Sequence, residues 1–264
     1  MQTTCEKLQE TTGSRWLPRW REKPNEAIRL FCFPYAGGST STYRLWQSLL
    51  PEWVDVAPVQ LPGRGERLSE PAFPRLSETV EALGRELTPY FQKPFAFFGH
   101  SMGALIVFEL TRWLRRNNMT MPSHLFISGR RAPQVPEATT PTWDLPEQQF
   151  IERVAQMNGT PREVLDHPEL MQLLIPLLRA DFAACETYQY YAEPPMECAL
   201  TVFGGDGDVE AQREHLTPWR EHTSATYQLH MLPGDHFFVQ TAHVESTRII
   251  AEELRPHKIL SLYS

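Results

Sequence analysis

Cysteine is scarce in this chain, four in 264 residues, and Cys5, Cys32, Cys185 and Cys198 lie far apart with no C-x-x-C pair and no metal-ligand spacing. That pattern excludes a disulfide framework or a zinc site as the organising device, and reduced thiols in a cytoplasmic protein are the simplest reading. His215, His222 and His230 fall in no ligand pattern either, so no metal is assigned. No apolar run approaches the length of a membrane span. The polar start, MQTTCEKLQETTG, lacks the charged-then-apolar build of a leader. A cytoplasmic protein with no membrane partner is therefore expected. Positive charge is also in deficit: 25 Lys and Arg against 32 Asp and Glu leave a net charge of -7, which argues against general nucleic-acid binding. Neither G-x-x-x-x-G-K-[ST] nor G-x-G-x-x-G occurs, so a phosphate cradle is not predicted. No repeat or low-complexity segment is present.

What is present centres on KPFAFFGHSMGALIVFEL, Lys93 to Leu110. Phe95-Ala96-Phe97-Phe98 is the unbroken apolar run of a parallel strand buried on both faces. Gly99-His100-Ser101-Met102-Gly103 follows, then the helical pattern of Ala104, Leu105, Val107, Phe108 and Leu110. A G-x-S-x-G between a strand and a helix is a nucleophile-elbow signature, in which the serine stands on a tight turn at the head of a helix. The short motif is only a hypothesis until the rest of the chain supplies a base, an orienting acid and an oxyanion hole.

Strands and helices alternate through the first half. Ile28 to Phe33 reads as a buried strand, Val54 to Leu61 as the next, and His124 to Ser128 as another. Leu76, Val80, Leu83, Leu87 and Tyr90 recur at helical spacing. The helix after the elbow ends in a basic turn read as solvent-facing, Arg112, Arg115 and Arg116. Alternation of this kind predicts an α/β fold with a mostly parallel central sheet and helices on both faces. From Gly129 to about Pro195 the rhythm breaks into two helical patterns without a strand. The second, about Pro168 to Tyr190, is strongly apolar, and Pro176 is expected to kink or break it. A helical lid insertion, about 130–196, is the reading preferred to extra packing. Strands resume at Ala199 to Phe203 and Tyr227 to Leu232, and a helix from about His243 closes the domain. Residues 1–26 read as a surface arm pinned by Trp16, Leu17 and Trp20, and 27–264 as one domain.

The order of chemistry-bearing residues fits the elbow. Ser101 is followed, after a late strand, by Gly204-Gly205-Asp206-Gly207-Asp208, and after the last strand by Pro233-Gly234-Asp235-His236. Serine, then aspartate, then histidine in those positions is the α/β-hydrolase order. His236 is assigned as the base. Asp208, three residues past Gly205, lies far enough into its loop to reach the histidine, whereas Asp206 is read as shaping the turn. The backbone N–H of Met102 should supply half of an oxyanion hole, and the loop Tyr35-Ala36-Gly37-Gly38-Ser39 the other half, from Tyr35 or Ala36.

FCFPYAGGS, VQLPGR, PFAFFGHSMGA, HLFISGRRAP, LRADFAACETY, FGGDGD and PGDHFF, taken together from about Trp16 to Phe238, resemble the type II thioesterases. These are the stand-alone editing hydrolases of nonribosomal peptide and polyketide synthases. The resemblance implies an α/β-hydrolase fold and hydrolysis of acyl-S-phosphopantetheine thioesters on acyl- or peptidyl-carrier protein domains. It also implies Ser101, Asp208 and His236 as the catalytic set and Ala36 as the oxyanion-loop residue. Asp235 departs from the pattern, where relatives often carry glycine. No cofactor is expected on the enzyme itself, since phosphopantetheine is carried by the partner, and a monomer is expected. Tyr35, Phe182 and Phe237 are candidates for the substrate or lid pocket. Arg64, Arg67, Arg112, Arg115, Arg116, Arg130 and Arg131 form a group that could meet an acidic carrier or its phosphate. A chain-terminating thioesterase, usually fused to a carrier segment not seen here, is the nearest alternative. A non-catalytic acyl-binding module is the more distant one.

Overall fold

The computed structural model describes residues 14–18, 20–23, 26–136 and 141–261. Six strands, β1 (Ile28–Phe33), β2 (Val54–Pro58), β3 (Phe95–His100), β4 (His124–Ser128), β5 (Ala199–Gly205) and β6 (Tyr227–Leu232), form one sheet in the order β2-β1-β3-β4-β5-β6. Every pairing in it is parallel. Alternate side chains along a strand point to opposite faces, and the core divides accordingly. Phe31, Phe33, Phe95 and Phe97 join one apolar cluster, with Leu76, Val80 and Leu83 of α2 (Leu76–Leu87) and Leu105, Phe108 and Leu110 of α3 (Met102–Arg116). Leu30, Cys32, Ala96 and Phe98 join another, with Trp46 of α1 (Trp46–Leu49) and Ile249, Ile250 and Leu254 of α9 (His243–Ser261). A layer on each face explains why β1, β3 and β4 read as continuous apolar runs: every residue in them is buried.

Strand order also locates the crevice. The chain leaves β1 for β2 on one side, then returns to β3 and continues to β4 on the other. Adjacent strands whose connections run opposite ways leave a gap at their carboxyl ends, where open parallel sheets bind ligands. The carboxyl ends of β1 and β3 carry the Tyr35–Gly38 loop and the elbow.

Between β4 and β5 lie α4 (Glu147–Gln156), α5 (Arg162–Leu165) and α6 (Pro168–Glu186). Phe150, Val154, Met171, Ile175 and Leu178 make a cluster separate from the two sheet layers, and Leu170 and Leu173 stay exposed. Of the kink or break expected at Pro176, the break does not occur: α6 runs on through it and stops at Glu186, where the Thr187 hydroxyl donates to the Ala183 carbonyl. Proline removes one N–H, but Met171 and Ile175 before it and Leu177 and Leu178 after it are all buried. Tertiary packing outweighs the missing bond.

Other boundaries moved modestly. β2 ends at Pro58, although the Val59 N–H still donates to the Cys32 carbonyl. Of the N-terminal arm, Trp16 and Leu17 are buried, Trp20 Nε1 donates to Asp55 Oδ2 at 2.8 Å, and residues 1–13 lie outside the described residues. Among the described residues no helix is long and apolar enough to cross a membrane.

The elbow is the tightest contact in this frame. A Cβ on Gly103 would overlap the Phe33 carbonyl oxygen, which is backbone and has no rotamer to yield. Gly103→Ala should therefore lower stability by about 3 kcal/mol or prevent folding, measured as the urea midpoint against wild type.

Candidate active site

Ser101 sits between β3 and α3 at φ 53°, ψ -110°, a left-handed backbone that a side chain rarely adopts. Such conformations cost about 1–3 kcal/mol and persist only where neighbours over-determine them. Here the neighbours are visible. The Ser101 N–H donates to the Ser128 carbonyl at 2.8 Å. Gly99 packs so closely on the Gly103 carbonyl, and Gly103 on the Phe33 carbonyl, that no Cβ fits at either position. Met102 is the first residue of α3, so its N–H has no intrahelical acceptor.

The His236 ring stands on the loop after β6. Its Nδ1–H donates to Asp208 Oδ2 at 2.8 Å, which leaves Nε2 as the ring's free lone pair. The other carboxylate oxygen of Asp208 accepts from the N–H groups of Glu210 (2.9 Å) and Ala211 (3.2 Å). Burial opposes charge on the Asp208 carboxyl, but the His236 hydrogen bond and charge and the two N–H donors outweigh it and hold the carboxyl below its ordinary value. Burial likewise pulls the His236 imidazole down, and the Asp208 hydrogen bond and charge more than offset it, leaving that group raised. Asp206 is exposed and uses its backbone N–H on the Leu232 carbonyl. The Asp235 side chain accepts from the Phe237 N–H, bracing the turn from outside.

His100, inside the G-x-S-x-G but given no role from sequence, links the two halves. Its Nε2–H donates to the His236 carbonyl at 2.9 Å, and its Nδ1 accepts from the Ser128 hydroxyl at 2.9 Å. A carbonyl can only accept, so Nε2 carries the hydrogen, and the ring's neutrality follows from its burial. Complete burial, with the nearby His236 charge second, drives its pKa down to about 3. Gly129 makes room for it: a Cβ there would lie 2.5 Å from His100 Cε1. The residue before the candidate nucleophile thus holds the backbone of the candidate base.

Beside β1, the Gly38 N–H donates to the Tyr35 carbonyl at 2.9 Å, closing a four-residue turn with Gly37 at φ 75°. A turn of this kind needs glycine at its third position. Its own hydrogen bond leaves the Ala36 N–H unused. Tyr35 and Phe237 pack edge to face at 5.1 Å and, with Arg44, Asn158, Gln240 and His243, line a cavity of about 440 Å³. Phe182 is not brought to that cavity; its ring turns onto Phe150 within the α4–α6 cluster.

The basic group expected to face a carrier is a correction. Arg64 is buried in a bidentate pair with Asp181, and Arg67 bonds Glu70 and lies over the Trp16 ring. Arg112, which is buried and not solvent-facing, pairs with Glu109 and Glu193, and Arg115 and Arg116 also pair with Glu193. Arg131 donates to the carbonyls of Pro136 and Glu210. Their acceptors lie up to 117 residues away, beyond the reach of local spacing. Among the described residues no cluster of metal-binding side chains occurs.

Two histidines with opposed environments give a direct check. In nitrogen-15 NMR, His100 should hold a neutral Nε2–H ring across pH 5–8, while His236 titrates above its ordinary value of about 6.5. A His100 resonance that titrates in that window would contradict the bonding described.

Comparison with known proteins agrees with this geometry. The family model described as "Thioesterase domain" matches residues 28–255. Linear gramicidin dehydrogenase LgrE of Brevibacillus parabrevis is 44% identical over 249 residues, covering 93% of this chain and 95% of that protein. The RedJ thioesterase from the prodiginine biosynthetic pathway in Streptomyces coelicolor superposes with a TM-score of 0.82 at 34% identity, covering 91% of this chain and 98% of that one. The type II thioesterase BorB from the borrelidin biosynthetic cluster gives 0.80 at 31%, covering 88% and 94%. The overall fold is thus shared with known thioesterases, and the chain belongs to the thioesterase family, a thioester hydrolase of α/β-hydrolase fold.

Proposed function

We propose that this chain is a free-standing type II thioesterase that clears stalled or wrongly loaded acyl groups from the phosphopantetheine arms of carrier domains in a nonribosomal peptide or polyketide synthase. The observation that carries the chemistry is the His236–Asp208 pair on a loop tied by His100 to the Ser101 elbow. Ser101 Oγ attacks the thioester carbonyl carbon while His236 Nε2 takes the hydroxyl proton. The oxyanion that forms lies between the N–H groups of Met102 and Ala36. The C–S bond then breaks, and His236 returns the proton to the departing sulfur of the arm. Water repeats the sequence on the acyl-enzyme: His236 takes its proton, the acid leaves, and Ser101 regains its hydrogen. Asp208 keeps the imidazole in the Nδ1–H form and stabilises its charged state. The α4–α6 segment acts as the lid, with the arm threading past it in the site's working cycle.

LgrE is named a dehydrogenase, which would point instead to an oxidation–reduction reaction. Here the loop after β1 is the tight Tyr35–Gly38 turn, and the polar side chains beside it are those of acyl transfer, which favours hydrolysis. A partner carrier places the working enzyme in the cytoplasm, where such synthases act.

Acyl release from loaded carriers tests the reading. Ser101→Ala should abolish turnover, and Asp208→Asn should lower kcat by about 10⁴-fold, while Asp206→Asn stays within about twofold. If the wild type releases full-length product faster than acetyl or other short acyl groups, the enzyme terminates chains and does not edit. The base works only when neutral, and its pKa is raised. The kcat/KM profile should therefore rise with pH through a midpoint above about 6.5, and a midpoint below that would contradict the His236 assignment.

A further inference from the structure

We infer that Asp181, on the insertion helix α6, is a positioning residue for the oxyanion loop, acting through Gly37 and held by Arg64. The inference rests on the thioesterase reading above and concerns a residue that reading does not use.

The side chain is 144 residues from the loop in sequence and in direct contact with it. Asp181 Oδ2 accepts from the Gly37 N–H at 2.7 Å. The same carboxylate takes both ends of the Arg64 guanidinium, Nη1 at 2.8 Å and Nη2 at 2.7 Å. Arg64 then reaches the next residue of the turn, with Nη1 donating to the Gly38 carbonyl at 3.2 Å, while its Nε donates to the Pro62 carbonyl. Both side chains are buried, at 3% and 4% exposure. The Ala36 N–H belongs to the turn that these contacts hold: Gly38 closes it onto Tyr35, Gly37 is fixed by Asp181, and Gly38 by Arg64. Leu178, one turn back on α6, packs so close to Gly37 that a Cβ there would lie 2.6 Å from its Cδ2.

A buried ion pair is weak evidence for stability, because desolvation offsets its attraction and apolar replacements are often as stable. What this pair does that an apolar pair could not is fill the hydrogen-bonding needs of a glycine turn. An oxyanion hole works by donors already fixed before charge develops, and a Gly-Gly turn left to itself is the least fixed backbone a chain can offer. Because Asp181 lies on the helix whose first half packs on Phe150 and Val154, the insertion and the oxyanion loop share one rigid element. Displacing α6 would remove the Gly37 acceptor.

The double variant Arg64→Met/Asp181→Leu separates positioning from stability. With an acyl-N-acetylcysteamine thioester, which needs no carrier, kcat should fall by about 10²-fold with KM and the acid limb of the pH profile unmoved. Affinity for a trifluoromethyl ketone, which forms a tetrahedral oxyanion on Ser101, should fall by the same factor, with the thermal midpoint close to wild type. Wild-type kcat and ketone affinity in the double variant would overturn the inference. So would a loss of kcat with ketone affinity kept. Should that variant not fold, Asp181→Asn keeps an oxygen for the Gly37 N–H while losing the charge pair. Its ketone affinity should stay within about tenfold of wild type, and a loss of about 10²-fold would assign the effect to the ion pair and overturn the role of Gly37. A wild type without Ser101-dependent hydrolysis of the small thioester would remove the thioesterase reading itself, before any variant is compared.

Discussion

Helix α3 can start where it does only because two backbones touch. Gly99 lies against the Gly103 carbonyl, and Gly103 against the carbonyl of Phe33 on the neighbouring strand. Close approach turns the chain through Ser101 at positive φ, projects that residue above the sheet and aims the first N–H groups of α3 at the same point. The contact also fixes a distance between elements. Phe33 is the last residue of β1, so the helix that presents the nucleophile is seated directly on the strand that delivers the Tyr35–Gly38 turn. Ser101 and the Tyr35–Gly38 turn, the candidate nucleophile and oxyanion loop, are brought together by backbone packing, before any polar side chain is considered.

Side chains then brace the loops that packing leaves free. Ser128 does this twice, accepting from the Ser101 N–H through its carbonyl and donating to His100 through its hydroxyl. His100 passes the constraint to the backbone of His236, and Asp208 holds the ring of the same residue. On the other side, Arg64 and Asp181 hold Gly37 and Gly38. Charge in a protein of net -7 is thus directed inward at several points. Cations that looked available for a partner are matched to carboxylates and carbonyls of the same chain, and what they stabilise is loop geometry.

How much of this could be read from residues alone follows from the range of each interaction. The elbow was legible because its parts are contiguous: an apolar run, two glycines four apart and a helical pattern. The parallel strands were legible because burial on both faces leaves no polar alternation. Asp208 stood out from Asp206 by position in its loop, and the structure brings its carboxylate to His236 Nδ1 while Asp206 faces solvent. His100 had no signal beyond its place in the motif, since its role depends on a carbonyl 136 residues away. Arg64 and Asp181 were visible only as separate charged residues, 117 positions apart, and the arginine was grouped with surface cations it does not join. A break at Pro176 is absent for a related reason. Local chemistry predicted a break, and packing by residues on both sides of the proline held the helix together.

The two histidines of the site show how one fold keeps two imidazoles in different states within 5.3 Å of each other. His100 is fully buried and meets a hydroxyl and a carbonyl, neither of which carries charge, so desolvation outweighs the His236 carbonyl bond and the Asp208 charge that favour protonation, and the ring stays neutral. His236 is only partly buried and faces a carboxylate, whose hydrogen bond and charge outweigh the desolvation it does suffer. Environments that push paired titratable groups apart mark an assignment of roles. A neutral His100 can donate its hydrogen bond to the His236 carbonyl whatever the charge on the His236 ring, which is what a base in the proposed reaction requires of its neighbour. Were His100 to titrate as well, two positive rings would face each other each time the base took a proton, and the raised affinity that Asp208 supplies would be cancelled by repulsion. Burying His100 behind Gly129 and Ser128 removes that competition, so of the two rings only His236 is set up to carry the proton in the proposed reaction.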